Sequence, residues 1–132
     1  MTAKDLYTAL SAKYVNHYFG SYEELNVILD GACFPCVVVI PVSKQVSFIA
    51  DRFKVVETVV IASLDQMELD FETEQIYDEV LMKERELLAN IFDFMPKIRS
   101  IQNLSELNKF DQNVIFAALS IELVNDHVNC KI

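Results

Sequence analysis

The segment Val55–Leu64 constrains the fold more than any other stretch of the chain. Val56, Val60, Ala62 and Leu64 would line one face of a strand, and Val55, Val59 and Ile61 the other. A strand apolar on both faces must be covered on both. It therefore predicts a central strand in a layered domain, with structure above and below the sheet. One such strand needs neighbours, and the β-branched run Cys36–Val42 is a second candidate, interrupted by Pro41 near its end. Proline has no N–H to give a ladder, so this strand is expected at an edge or leaving the sheet there. Val46–Ala50 alternates weakly and reads as a third, short strand. Asn113–Asn125 closes the set, with Ile115, Ala117, Leu119, Ile121 and Leu123 on one face. Val114, Phe116 and Ala118 lie on the other, which turns polar at Ser120 and Glu122.

Helical periodicity brackets these strands. Thr2 is a good N-cap with Asp5 three residues on. Leu6, Ala9, Leu10, Tyr14, His17 and Tyr18 then recur at three- and four-residue steps, which predicts one helix ending at Gly20. Ser21 and Glu24 open a second, short helix on Leu25, Ile28 and Leu29, ended by Asp30-Gly31. The longest helix is expected to be capped by Thr73, with Glu74 in its first turn. Ile76, Tyr77, Val80, Leu81, Leu87, Leu88, Ile91, Phe92 and Met95 form its stripe, and Pro96 closes it. Glu79, Lys83, Glu84, Glu86 and Asn90 belong to the wet side. Lys97–Asp111 reads as loop or loop with one turn of helix. The sum is a single α+β domain over residues 1–132, an antiparallel or mixed sheet with its helices on one face.

With 132 residues the chain can build one core. Its apolar fraction of 52% leaves few neutral polar residues to clothe the surface, which points to apolar area buried against partners. The formal charge of −9 opposes phosphate backbones and anionic lipid, so neither nucleic-acid binding nor membrane binding is expected. No apolar run reaches the ~18 residues of a membrane span. Three cysteines, an odd number, argue against a disulfide framework.

Candidate chemistry is sparse. Cys33-Phe34-Pro35-Cys36 has the C-x-P-C form of a redox pair, but such a pair should open a helix, and Val37–Ile40 are poor helix formers. The expectation is two small thiols tucked against the core where the strand begins. Cys33 and Cys36 could join His127 and Cys130 as a CxxC…HxxC zinc site if the ends of the sheet meet. Glu68, Asp70 and Glu72 read as a solvated face, and His17 as a core-edge histidine bonded to backbone. With two glycines, no phosphate-cradling loop or nucleophile elbow can be written. The residues thus assign no catalytic, cofactor-binding or metal site, and no cofactor.

The segment Tyr18-Phe19-Gly20-Ser21-Tyr22-Glu23-Glu24-Leu25-Asn26, followed by Phe34-Pro35-Cys36-Val37-Val38-Val39-Ile40-Pro41-Val42, resembles short neck and tail-joining proteins of tailed bacteriophages, including the crAss-like group. The strand Val114–Val124 is similar too. The resemblance implies a tail-terminator-like fold and a non-enzymatic virion protein. It implies a subunit of a homo-oligomeric connector ring between capsid portal and tail, assembled in the host cytoplasm and touching other neck, portal or tail proteins. Outward apolar residues such as Ile49 and Phe53 would then be buried by neighbours. The chain departs from that pattern at Cys33 and Cys36 and is short after Pro41. The alternative drawn from charge is a small acidic binding module or inhibitor acting on a protein partner.

Overall fold

The computed structural model describes residues 1–31, 33–66, 72–105 and 114–128. It is an α+β fold around one five-stranded mixed sheet of order β1-β2-β3-β5-β4. In chain order the elements are α1 (Ala3–Ser11), β1 (His17–Phe19), α2 (Tyr22–Gly31), β2 (Cys36–Ile49), β3 (Arg52–Gln66), α3 (Thr73–Ile91), a 3-10 turn (Phe92–Lys97), β4 (Ile98–Asn103) and β5 (Val114–Val128). β1 runs parallel to β2, and every other pairing is antiparallel.

The two-faced strand is central, as its pattern requires. On one side Val59 and Ile61 of β3 meet Val37, Val39, Leu119, Ile121 and Leu123, under Leu6 and Leu10 of α1 and Leu87 and Ile91 of α3. Ile76 and Val80 extend this layer onto Ile115 and Ala117. On the other side Val60, Ala62 and Leu64 pack with Cys36, Val38, Ile40, Val114, Phe116 and Ala118, with Tyr18, Phe34 and Leu104 against them. Thus α1 and α3 share one face, and the faces expected for β3 and β5 are those observed.

Four local readings are corrected. The first helix ends at Ser11, and His17–Phe19 forms β1 instead of a last helical turn. Val15, Tyr18 and Phe19 favour strand, and the open edge of β2 supplies backbone partners: Val37 donates to the Asn16 carbonyl at 3.0 Å, and Gly20 donates to the Val39 carbonyl at 3.2 Å.

Second, Cys36–Val42 and Val46–Ala50 are not two strands. They are one, with a bulge between Pro41 and Ser43 that leaves Val42 as the extra residue. Val37 and Val39 turn their backbone polar groups toward β1, so alternation points the missing N–H of Pro41 toward the same edge, beyond the end of β1. The proline costs no ladder bond there.

Third, β4 lies in the stretch read as loop. Ile98 and Ile101 are three apart, which is no strand period. A bulge between Ile98 and Ser100 absorbs one residue, so both isoleucines reach the helix-covered face opposite Leu123 and Ile121.

Fourth, α3 begins one residue earlier in its capping than expected: Glu72 is the N-cap, and its N–H donates to Gln75 Oε1 at 2.8 Å. Past Ile91 the chain tightens to three residues per turn, which changes the phase of the stripe and leaves Phe92 and Met95 exposed. Tyr77 is exposed as well. Lys83, assigned to the wet side, is buried, and its ammonium pairs with Asp65 Oδ2 of β3 at 3.2 Å.

Candidate association surface

β2 and β3 outrun the layers that cover the rest of the sheet. Every residue of β2 from Pro41 onward is exposed, whereas Cys36–Ile40 are buried. β1 pairs only with Val37–Val39, so among the described residues no strand neighbours the outer edge of β2 beyond it. β5 follows β3 to Arg52↔Val128, while β4 reaches no further than Leu123. The result is a three-stranded arm. Its tip is the β2–β3 turn, where Ala50 takes the left-handed conformation with φ 56°.

The arm is apolar where it should be wet. Phe48 is 78% exposed and Ile49 74%. Val46 is exposed beside them, and the Phe48 and Phe53 rings lie 6.1 Å apart on one face. The opposite face presents Ile49 beside Arg52 and Lys54, lining a shallow concavity with Ser47 and Phe53. Ile49 is outward as expected. Phe53 is half-buried by its own strand neighbours.

The base of the arm is fixed to α1. Glu57 of β3 is buried, and its Oε1 accepts the Ala3 N–H at 2.7 Å, at the positive end of the helix. Its Oε2 lies 3.9 Å from Lys44 Nζ. Asn125 of β5 donates to the Met1 carbonyl at 2.6 Å and accepts from the N-terminal ammonium. Thr2 caps α1 as expected, and its bonds to Asp5 hold that carboxyl below its usual range. Replacing Glu57 by alanine leaves the buried Ala3 N–H without its acceptor and should cost about 1–3 kcal/mol in denaturant unfolding. A loss below about 0.5 kcal/mol would mean that water takes over the bond.

The residues singled out for chemistry do not converge. Cys36 opens β2, where it is fully buried, and Cys33 is exposed. Burial, reinforced by nearby Asp65, pushes the Cys36 thiol up to about 11, the opposite of an activated redox cysteine. Cys33 donates its backbone N–H to Tyr18 Oη at 3.1 Å and is not tucked into the core as expected. The zinc arrangement is overturned by register. Cys36 pairs with Leu64, at one end of β3, and His127 pairs with Phe53, at the other. Those points are roughly 35 Å apart along the strand, far beyond the reach of one ion. Cys130 lies outside the described residues, as do Glu68 and Asp70. His17 Nδ1 pairs at 2.7 Å with the Tyr7 hydroxyl, a side chain and not backbone. Among the described residues no three metal-ligating side chains cluster, and no helix is long and apolar enough to cross a membrane.

The chain matches no protein-family model, and no curated protein is significantly similar to it. Among the described residues the arm gathers Val46, Phe48 and Ile49 as exposed apolar side chains. Sequence reasoning named Ile49 and Phe53 but missed that Val46 and Phe48 join them. The signal was present in the alternation of Val46 and Phe48 with Gln45 and Ser47, and reading the strand as broken at Pro41 concealed it.

The thiols provide a direct check on this placement. Cys33 should react with iodoacetamide in the native protein at pH 8, while Cys36 should react only after unfolding. Tyr14, half-buried and accepting from Asn90 Nδ2 at 2.9 Å, is likewise raised by burial, to about 12. Both groups hold their protons more tightly folded than unfolded. Stability conferred this way is complete below pH 9, the ordinary thiol value, and is lost as pH rises toward 11 and 12. Chemical denaturation should show a falling midpoint from about pH 9 upward, and a flat profile there would contradict the burial of both groups.

Proposed function

We propose that the chain is a non-catalytic assembly protein, a structural subunit of a bacteriophage neck or tail connector ring joining portal and tail. The observation that carries the reading is the arm: it leaves the covered part of the sheet and exposes Phe48 and Ile49 beside an edge of β2 that no described strand pairs. An isolated monomer gains nothing from apolar side chains at a hairpin tip, and an open strand edge invites pairing with another chain. The net charge of −9 keeps such a surface soluble before assembly. The similarity of Tyr18–Asn26 and Phe34–Val42 to neck and tail-joining proteins supports the ring. In this reading the protein resides in the virion neck, contacts copies of itself and other neck, portal or tail proteins, and needs no cofactor.

Light scattering over a concentration series, with electron microscopy of the particles formed, is the test. Closed rings of uniform size are expected. A protein that stays monomeric at high concentration and is missing from virions removes the reading. The same −9 charge favours a second reading, an acidic module that binds a basic protein. A stable complex with such a protein, dissolved by salt, would mark it.

A further inference from the structure

Charge is not spread evenly along this chain, and two stretches of opposite sign lie at opposite ends of the sheet. The β2–β3 part of the arm, from Val42 to Lys54, carries Lys44, Arg52 and Lys54 against Asp51, and β5 adds Asp126, which pairs with Lys54. Lys44 is engaged with Glu57 at the base, so Arg52 and Lys54 are the basic groups of the tip. They stand on one face of the arm with Ile49, which pairs directly with Arg52. The start of α3 is the reverse. Residues 72–79 hold Glu72, Glu74, Asp78 and Glu79 and no basic residue. Within that stretch Glu74, Tyr77 and Asp78 share one face by helical spacing and, with Thr73, line a shallow groove. Tyr77 is 58% exposed there. Lys83, the first basic residue after it, is turned inward to Asp65.

Each surface has an apolar centre flanked by charge, and the charges are opposite. They cannot meet within one chain. The first turns of α3 pack over Ile115 and Ala117, near the start of β5, while the arm tip lies beside Val128 at its end. Roughly 40 Å of strand separates them. Complementary patches at opposite ends of one rigid sheet produce a heterologous, head-to-tail contact. Repetition then gives a ring if the rotation closes.

We propose that the occupant of the α3 groove is the arm of a second copy of this chain: Ile49 seats against Tyr77, and Arg52 and Lys54 face Glu74 and Asp78. Arg52 can lie over the Tyr77 ring while meeting a carboxylate, which lets one side chain serve both halves of the contact. The inference rests on the ring reading and adds to it the two surfaces that touch. Because the contact joins charges near the surface, it weakens with salt.

Reciprocal charge reversal tests it by sedimentation velocity of the full chain at low and high salt, with circular dichroism as the check on folding. The wild-type chain should assemble. Arg52→Glu with Lys54→Glu makes the arm acidic against an acidic groove, and Glu74→Lys with Asp78→Lys makes the groove basic against a basic arm. Each double variant alone should sediment as a monomer. Their equimolar mixture restores opposite charges at both kinds of contact and should recover assemblies of wild-type size. Assembly unchanged in either variant, or a mixture that stays monomeric, overturns the arm-to-groove contact while leaving the ring reading intact. A monomeric wild-type chain at every concentration and salt removes both, and binding of the arm or groove only to a different protein does the same.

Discussion

Replacing Ile61 by alanine is expected to lower the unfolding free energy by about 2–5 kcal/mol, measured by denaturant titration. Ile61 is fully buried at the middle of β3, between β2 and β5 and beneath the helical layer formed by α1 and α3. The lost methyl and methylene groups leave a cavity lined by neighbours held in two hydrogen-bonded ladders, and such a wall collapses little. The same substitution at Ile49, which is 74% exposed, should stay within about 0.5 kcal/mol. The contrast is the informative part. If both substitutions cost the same, the boundary drawn between a packed body and a projecting arm is wrong.

What the sequence revealed and what it hid divide along a different line. The packed body was legible because burial on both faces leaves a periodic trace. Val59 and Ile61 against Val60 and Ala62 fixed β3 as central, and the alternation of Val114–Leu123 placed β5 correctly on both faces. The failures cluster where a residue is added to a strand or a helix changes pitch. Ile98 and Ile101 share a face only through a bulge, and a bulge writes no pattern into six residues. The Pro41 bulge split one strand into two for the same reason. Phe92 and Met95 looked buried because the α-helical period was continued into a 3-10 turn. His17–Phe19 became a strand through pairing with β2, a long-range effect that local spacing cannot carry.

The candidate site suffered from the first of these errors. The apolar residues of the arm were visible one by one, but their meaning depends on β2 running unbroken past Pro41. Only then do Val46, Phe48 and Ile49 stand on a strand that projects beyond its cover. Chemistry proposed from spacing alone fared worse. The CxxC and HxxC pairs are well formed as strings, yet the register of β3 places them at opposite ends of the sheet. Sequence distance said nothing against that site, and strand geometry did.

The arm yields the second large effect. Introducing Phe48→Asp and Ile49→Asp together should abolish assembly while leaving the monomer as stable as wild type to within about 0.5 kcal/mol. Buried aromatic and aliphatic anchors at the centre of an interface contribute about 2 kcal/mol or more each. Losing two, and placing two carboxylates in the desolvated contact, should raise the dissociation constant at least about 100-fold. The pair probes both faces of the arm, since Phe48 turns toward Phe53 and Ile49 toward Arg52. It therefore reports on the arm as a whole, where charge reversal at Arg52 and Lys54 reports on one face. Assemblies abolished by the aspartates but untouched by charge reversal would place the contact on the Phe48 face. Assemblies surviving both would exclude the arm and point instead to Tyr77, Met82, Phe92 and Met95, which are exposed along α3 and the turn after it.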